Sequence, residues 1–234
     1  MDTKIAIVTG ANRGLGLAAT KQLAELGYLT IMGVRDVEAG EIEASKLRSE
    51  RLAVHAAELD IANSKSVDVF FNRIIGNFGR VDVLLNGAGI YLEGNAGFTE
   101  IDEATLLNSI NVNAVGAWRT SKAVAAQMMQ QAYGRIVNVS SGWGSLADMD
   151  ANAAAYRISK AALNAVTRII AADLAKYGDI KVNAVCPGWV RTRMGGPDAE
   201  LTAEEAATDV VWAARFGENA PTGGFFKSRA PIAW

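Results

Sequence analysis

Residues 9–16 read TGANRGLG and hold three glycines close to the start of the chain. It follows the short apolar run KIAIV and precedes GLAATKQLAELG, in which leucine and alanine recur at helical spacing. A buried strand that turns sharply into an amphipathic helix is the opening unit of a parallel α/β sheet. Three glycines, Gly10, Gly14 and Gly16, permit this turn, because glycine adopts backbone angles that other residues avoid.

The same alternation of short apolar runs and helical segments continues along the chain. The runs YLTIMGV, LAVHAAEL, VDVLLNGAG, GRIVNVSS and IKVNAVCPG predict five more strands, and GGFFK predicts a short final one. Helical segments separate them, including two long ones near residues 103–131 and 153–176. Strands that are apolar throughout are typical of parallel sheets covered on both faces. We therefore predict one α/β domain over residues 1–234, with a doubly wound parallel sheet flanked by helices on both faces.

Composition narrows the possible partners. The 234 residues carry a net charge of −2 and no basic cluster, which argues against a nucleic-acid or membrane partner. No signal-peptide pattern and no apolar run of membrane-spanning length is present, so we expect a cytoplasmic protein that acts on a small molecule. The only cysteine, Cys186, and the only histidine, His55, are expected to be structural, and the sequence predicts no metal site.

The glycine turn lies where a nucleotide phosphate would bind. The first turn of a helix offers free N–H groups and the positive end of the helix dipole to an anion. The spacing of the three glycines is G-x-x-x-G-x-G, which is weak evidence taken alone, because glycine turns also serve packing. Its position between a strand and a helix favours a bound dinucleotide pyrophosphate.

Two arginines indicate which dinucleotide is bound. An acidic residue at the end of the second strand would favour a ribose 2′-hydroxyl, but Val34 stands there and Arg35 follows it. Two guanidinium groups, from Arg13 and Arg35, suit a 2′-phosphate, so we predict NADP rather than NAD. Asp36 leaves an alternative, in which Arg35 pairs with that carboxylate at the surface.

The chain resembles the classical short-chain dehydrogenases/reductases along nearly its whole length. The resemblance rests on six motifs in order, which are TGANRGLG, NGAG, NVNAVG, RIVNVSS, YRISK and CPGWVRT. Gly87 departs from the pattern, since the family usually carries a second asparagine there. The segment CPGWVRTRMGGPDA, the following TAEEAA and a terminal tryptophan are most similar to the carbonyl reductases. This resemblance implies a Rossmann-type fold and reduction of ketones or aldehydes with NADP(H).

The resemblance also implies a set of catalytic residues. Tyr156 and Lys160 lie four positions apart and share one face of a helix, where the ammonium is expected to lower the pKa of the phenol. By the resemblance, Tyr156 donates a proton to the carbonyl oxygen and Lys160 holds the nicotinamide ribose. Ser141 orients the substrate oxygen, whereas Ser140 turns toward the cofactor or the loop. The carbonyl of Asn113, rather than of Asn111, retains a water that links Lys160 to solvent.

Further residues are assigned to the cofactor. Asp60 and Ile61 are similar to the family's adenine contacts, although Asp60 also fits a role as an acid at a helix N-terminus. Residues near 187–192 fall where the family receives the nicotinamide. The full set of cofactor contacts expected from the turn, the arginines and the resemblance is Gly10, Asn12, Arg13, Gly14, Leu15, Gly16, Arg35, Asp60, Ile61, Asn86, Ala88, Gly89, Tyr156, Lys160, Pro187, Gly188, Val190 and Thr192.

Substrate choice and assembly are less constrained by the sequence. Four side chains, Trp143, Met149, Trp189 and Met194, fit an apolar pocket, internal packing or a subunit contact equally well. Residues 193–200, RMGGPDAE, have the composition of a mobile lid, and the two long helices predict a homo-oligomer. Alcohol oxidation or 3-oxoacyl reduction on the same site and a non-catalytic NADP(H) sensor are alternatives.

Overall fold

Strands and helices alternate in the computed structural model, which describes residues 3–234. The strands in this range are β1 (Ile5–Thr9), β2 (Leu29–Val34), β3 (Val54–Glu58), β4 (Val83–Asn86), β5 (Tyr133–Val139), β6 (Asp179–Cys186), β7 (Phe225–Lys227) and β8 (Ala230–Pro231). The α-helices are α1 (Gly14–Glu25), α2 (Val37–Ser49), α3 (Ser64–Phe78), α4 (Glu103–Ile110), α5 (Gly116–Gln131), α6 (Ala154–Leu174) and α7 (Ala203–Ala214).

The strands form one sheet in the order β3-β2-β1-β4-β5-β6-β7-β8. The chain runs outward from β1 to β3 and then returns to place β4 on the other side of β1. Such a reversal creates a crevice at the carboxyl ends of β1 and β4, which is where open α/β sheets bind ligands. The predicted fold, a mostly parallel sheet with helices on both faces, is confirmed.

One strand was not predicted. β8 pairs antiparallel with β7 through a tight turn at Ser228 and Arg229, whose φ angles are 49° and 62°. Such turns are usually marked by asparagine or glycine, because the left-handed backbone region penalises other residues. Serine and arginine give no such signal, so the sequence pattern predicted no strand after β7.

Alternate residues of the central strands pack on opposite faces of the sheet. Val8 belongs to the core beneath α1 and α7, together with Leu23 and Val210. Ile7 belongs to the core on the other face, with Phe71 from α3 and Met128 from α5. Burial on both faces explains why the strand sequences are apolar throughout rather than alternating.

The long helix predicted over residues 103–131 contains a local change of pitch. Asn111–Val115 form a π-helical turn between α4 and α5, closed by the Gly116 N–H donating to the Asn111 carbonyl. The extra residue shifts the helix face, and Asn113 is buried within this turn. The sequence carries no signal for it, because Asn111 and Asn113 read as ordinary polar helix residues. Across residues 3–234, none of the helices combines the length and the apolar character needed to cross a bilayer.

Candidate active site

The glycine turn between β1 and α1 is built by close backbone packing. The Gly10 N–H donates to the Gly33 carbonyl at 2.9 Å, and the φ angles of Gly10 and Gly14 are 67° and 51°. A Cβ on Gly16 would lie 2.3 Å from the Gly10 carbonyl oxygen, so only glycine fits there. Arg13 caps α1 without a side-chain hydrogen bond, so the first N–H groups of the helix have no side-chain partner. The turn therefore fits a phosphate group.

The segment that follows β6 crosses the same turn. A Cβ on Gly14 would lie 3.0 Å from the Thr192 methyl group, which places Thr192 against the glycines. Gly188 has a φ of 81°, and Val190 is buried in a bridge with Leu201. The structure therefore brings the expected nicotinamide segment to the expected phosphate turn.

Arg13 and Arg35 are both exposed at this edge of the sheet. Arg35 follows β2, whose Gly33 bonds the glycine turn directly. The Asp36 carboxylate caps α2 by accepting the Ala39 N–H at 3.0 Å, so it serves the helix rather than Arg35. Arg35 therefore directly follows the strand that bonds the turn, and its role toward a ribose 2′-phosphate stays a prediction.

Asp60 and Ile61 lie in the loop that follows β3, the strand next to β2. The Asp60 carboxylate accepts the Ala62 N–H at 3.0 Å, which is a local turn. The cap of α3 is Asn63, so Asp60 is not the capping acid of that helix. Ile61 is buried, and a Cβ on Gly116 would lie 2.7 Å from its methyl group. These contacts fix the loop, and the bond to Ala62 involves one oxygen of the Asp60 carboxylate.

Asn86, one of the expected cofactor contacts, has its side chain bonded within the protein. Its side chain is 5% exposed and donates to the Asn138 side chain at 2.8 Å. The Thr120 hydroxyl donates to the Asn86 side-chain oxygen at 2.7 Å, so the side-chain amide is bonded within the protein. Burial forces this pairing, since an unpaired amide would lose its hydrogen bonds to water. The Asn86 side chain therefore joins β4 to β5 and α5, and its contact with a cofactor stays a prediction.

The residues after Asn86 approach both the turn and the catalytic helix. The N–H groups of Gly87 and Ala88 both donate to the Thr9 hydroxyl at 3.1 Å. A Cβ on Gly10 would lie 2.8 Å from the Ala88 Cα, and one on Gly89 would lie 3.6 Å from the Lys160 nitrogen. Residues 87–89 thus connect the phosphate turn to Lys160.

Tyr156, Ser141 and Lys160 converge at the carboxyl end of β5. The Ser141 hydroxyl hydrogen-bonds the Tyr156 phenol. The Lys160 nitrogen lies 5.5 Å from the centre of the Tyr156 ring and donates to the Val139 carbonyl at 2.8 Å. The spacing of one helical turn places both side chains of α6 on the same side, as the sequence predicted.

The pKa of the phenol differs in direction from the expectation. Burial raises the pKa of Tyr156, and the hydrogen bond from Ser141 acts the other way. Burial also lowers the pKa of Lys160 to about 8. Desolvation, which penalises the phenolate, is the largest cause of the shift at Tyr156.

Two polar neighbours of this group are held by the protein interior. Asn113 accepts the Ile90 N–H at 2.8 Å through its side-chain oxygen and donates to the Ser159 hydroxyl at 2.9 Å. Its role in holding a water beside Lys160 stays a prediction. Ser140 was expected to face the cofactor or the loop, but it donates to the Asn164 side chain at 2.6 Å within the core. The pairing with α6 directs it inward.

Two residues of this site were missed. The Tyr91 ring lies 5.1 Å from the Tyr156 ring, and Trp143 completes the cluster at 6.1 Å from Tyr91 and 6.2 Å from Tyr156, measured between ring centres. Glu93 accepts the backbone N–H of Tyr156 at 2.5 Å. The two missed residues, Tyr91 and Glu93, lie in the irregular segment after β4, where the sequence shows no motif. Only tertiary contacts reveal their position.

The remaining pocket candidates lie at the surface. Trp189 is 54% exposed and donates from its ring nitrogen to the Gly195 carbonyl at 2.8 Å, and Met149 and Met194 are also exposed. Arg191 donates to the Ala199 carbonyl at 3.0 Å. These bonds join the two ends of residues 189–199 into a loop. The Trp143 ring packs against the Tyr156 ring.

Comparison with known proteins identifies the family. Residues 4–202 match the family model described as short chain dehydrogenase. The chain belongs to the short-chain dehydrogenase family. It is 36% identical over 193 residues to the 7alpha-hydroxysteroid dehydrogenase of Paraclostridium sordellii, covering 82% of this chain and 71% of that protein. The carbonyl reductase Sniffer of D. melanogaster superposes with a TM-score of 0.90 at 31% identity, covering all of both chains.

Two further solved structures similar to this chain differ in coenzyme. An actinorhodin polyketide ketoreductase with NADPH matches at a TM-score of 0.88 and 26% identity, covering 97% of this chain and 96% of the other. An NAD+-bound xylitol dehydrogenase matches at a TM-score of 0.86 and 27% identity, covering 96% of this chain and 97% of the other. The family therefore establishes an oxidoreductase that uses a nicotinamide cofactor on hydroxyl or keto groups. Within residues 3–234, no three His, Cys, Asp or Glu side chains group as a metal site requires.

Proposed function

We propose that the protein reduces a ketone or aldehyde to an alcohol with NADPH, and that Tyr156 donates the proton. The observation that carries this proposal is the convergence of Tyr156, Ser141 and Lys160 beside the glycine turn. The cofactor supplies hydride when bound. The phenol and the hydroxyl then provide two hydrogen bonds to one substrate oxygen, and this pair polarises a carbonyl.

Each residue has a distinct part in the reaction. Ser141 holds the carbonyl oxygen, and Tyr156 transfers its proton to that oxygen as the alcohol forms. Burial raises the pKa of Tyr156, so the phenol is protonated at neutral pH and carries the proton that the reduction needs. Lys160 binds the nicotinamide ribose, and Asn113 maintains the π-helical turn beside it. Proton replacement runs from solvent through a water held near Asn113 and Lys160.

The cofactor contacts follow from the same arrangement. The N-terminus of α1 receives the pyrophosphate, and Asn12 and Leu15 flank it within the turn. Asp60 and Ile61 bound the adenine. Residues 187–192 receive the nicotinamide, with Thr192 against the glycines. The expected contacts at positions 86–89 act through the backbone, because the Asn86 side chain is engaged inside.

The same site also permits the reverse reaction and a related substrate class. Alcohol oxidation needs the phenolate, and it is therefore favoured at high pH, since burial raises the pKa of Tyr156. Reduction of a 3-oxoacyl substrate needs only a different pocket, and a polyketide ketoreductase is among the similar structures. Purified protein incubated with NADPH or NADH and a panel of ketones, α-keto esters, aldehydes and quinones tests the proposal. We expect alcohol formation with NADPH, and no turnover with any of them would contradict it.

Coenzyme preference is expected to depend on Arg13 and Arg35. The double variant Arg13→Ala/Arg35→Ala should lose about 100-fold in the ratio of kcat/KM for NADPH over NADH, because two charge-assisted bonds to phosphate are removed. This loss should appear as a higher KM for NADPH. Steady-state kinetics with both coenzymes measures it. Arg73→Ala, which removes an exposed arginine on α3, is the control. An unchanged ratio in the double variant would contradict the 2′-phosphate site.

The pH dependence of reduction is expected to follow Lys160. Its pKa is lowered to about 8 by burial, so its ammonium is present below that pH and lost above it. We expect kcat/KM for the carbonyl substrate at saturating NADPH to be constant from about pH 6 to 7.5 and to fall above about pH 8. Tyr156 stays protonated through this range because its pKa is raised. A profile that stayed flat to about pH 9.5 would show that the charge of Lys160 is not needed.

We further propose that the enzyme is a cytoplasmic homo-oligomer. Four large apolar side chains are exposed on the two long helical segments, namely Leu107, Trp118, Ile158 and Ile169. Apolar side chains on neighbouring helices are typical of contacts between subunits. Light scattering on the purified protein measures the subunit number.

A further inference from the structure

The catalytic helix α6 begins without a capping side chain of its own. Its cap residue, Ala153, has a φ of 51° and makes no side-chain hydrogen bond. Serine, threonine, aspartate or asparagine usually supplies an oxygen at this position. Asn152, the nearest polar residue, directs its side-chain oxygen to the Arg157 guanidinium, with nitrogen–oxygen distances of 2.7 and 3.0 Å. The first N–H groups of α6 therefore need partners from elsewhere.

The segment after β4 supplies them. One carboxylate oxygen of Glu93 accepts the N–H of Tyr156, the third residue of α6, at 2.5 Å. The Ala96 carbonyl accepts the N–H of Ala154, the first residue, at 3.2 Å. A carboxylate at the positive end of a helix dipole is favoured electrostatically as well as by its hydrogen bond.

The same segment also contacts the side chain of Tyr156. The Tyr91 ring packs on the Tyr156 ring at 5.1 Å, and the Tyr91 hydroxyl donates to the Gly94 carbonyl at 2.5 Å. The second carboxylate oxygen of Glu93 accepts the Leu92 N–H at 3.2 Å, which holds the carboxylate in place. Backbone and ring of Tyr156 are thus fixed by one short segment, 63 residues away in the chain.

We propose that Glu93 is a positioning residue for catalysis, which caps α6 from outside and fixes the backbone of Tyr156 so that its phenol meets the substrate oxygen. This inference rests on the proposed function, because it concerns the same proton donor. Glu93 does not touch the reacting atoms. It acts through the amide of Tyr156, and a small displacement of a proton donor reduces turnover more than binding.

Substitution of Glu93 separates positioning from general stability. Glu93→Ala removes the cap and is expected to lower kcat about 10- to 100-fold, with the KM for the carbonyl and the Kd for NADPH within about twofold. Glu93→Gln keeps an acceptor oxygen on a side chain of the same length, so its kcat should stay within about threefold of the wild type. Glu93→Asp, one methylene shorter, should behave as Glu93→Ala. Thermal unfolding of each variant verifies that it is folded at the assay temperature.

A second carboxylate in the same segment is the matched control. Glu100 accepts the Gly97 N–H at 2.9 Å and makes no bond to α6, so Glu100→Ala should retain the wild-type kcat. If Glu93→Ala kept the wild-type kcat while Tyr156→Phe was inactive, the positioning role would be wrong and the proposed function would stand. If Tyr156→Phe kept its activity, both would be wrong. A Glu93→Ala variant with a raised KM and an unchanged kcat would also contradict the positioning role.

Discussion

Tyr156→Phe is expected to lower kcat for carbonyl reduction by about 10³- to 10⁴-fold, the contribution of a well-placed general acid. The variant retains the aromatic ring and its packing against Tyr91 and Trp143, so the pocket keeps its shape. Only the hydroxyl that bonds Ser141 is lost. The Kd for NADPH should stay within about twofold, because binding depends mainly on the turn and the arginines. Single-turnover kinetics and fluorescence titration measure the two effects separately.

Tyr133→Phe is the matched control for this change. Tyr133 begins β5 at the opposite edge of the sheet, where its ring packs with Lys4 and Arg135. The loss of one phenol hydroxyl there should leave kcat unchanged. Normal turnover by Tyr156→Phe would show that another group delivers the proton.

Gly16→Ala is expected to abolish tight cofactor binding and to destabilise the fold by about 3 kcal/mol, the upper range for overpacking. The new Cβ would lie 2.3 Å from the Gly10 carbonyl oxygen and 3.1 Å from the Ala11 Cα, both of which belong to rigid backbone. The first turn of α1 must then move away from β1, which displaces the N–H groups that face the pyrophosphate. We expect the Kd for NADPH to rise at least about 100-fold.

Gly76→Ala is the corresponding control. Gly76 lies in α3 with ordinary helical backbone, and a Cβ there meets nothing within 4 Å. Alanine should stabilise the helix by about 0.5–1 kcal/mol and leave the Kd for NADPH unchanged. Denaturant unfolding and titration with NADPH test both variants. Wild-type affinity in Gly16→Ala would contradict the phosphate role of the turn.

Much of the fold was predictable because local patterns agree with the tertiary structure. The glycine turn, the apolar strands and the helix stops each fit one architecture, and the sheet order follows from repeated strand–helix units. The π-helical turn at Asn111–Val115 was not predictable, because it depends on the buried bonds that Asn113 makes with Ile90 and Ser159. β8 was missed because its turn lacks the usual residues.

The site shows the same division between local and tertiary information. Tyr156 and Lys160 lie on one helix, so their spacing determines that they share a face. The direction of the pKa shift of Tyr156 depends on burial by distant segments, which helical spacing does not report. Glu93 has no motif around it, and its importance follows from a contact with α6 that only the folded chain brings together.

Isotope transfer shows whether the coenzyme delivers its hydride to the substrate carbon. NADPH that carries deuterium at both C4 positions would be mixed with the protein and a reactive α-keto ester, and the product alcohol analysed by mass spectrometry. We expect one deuterium on the carbinol carbon of every product molecule. Product without deuterium, or oxidation of NADPH without alcohol formation, would contradict it.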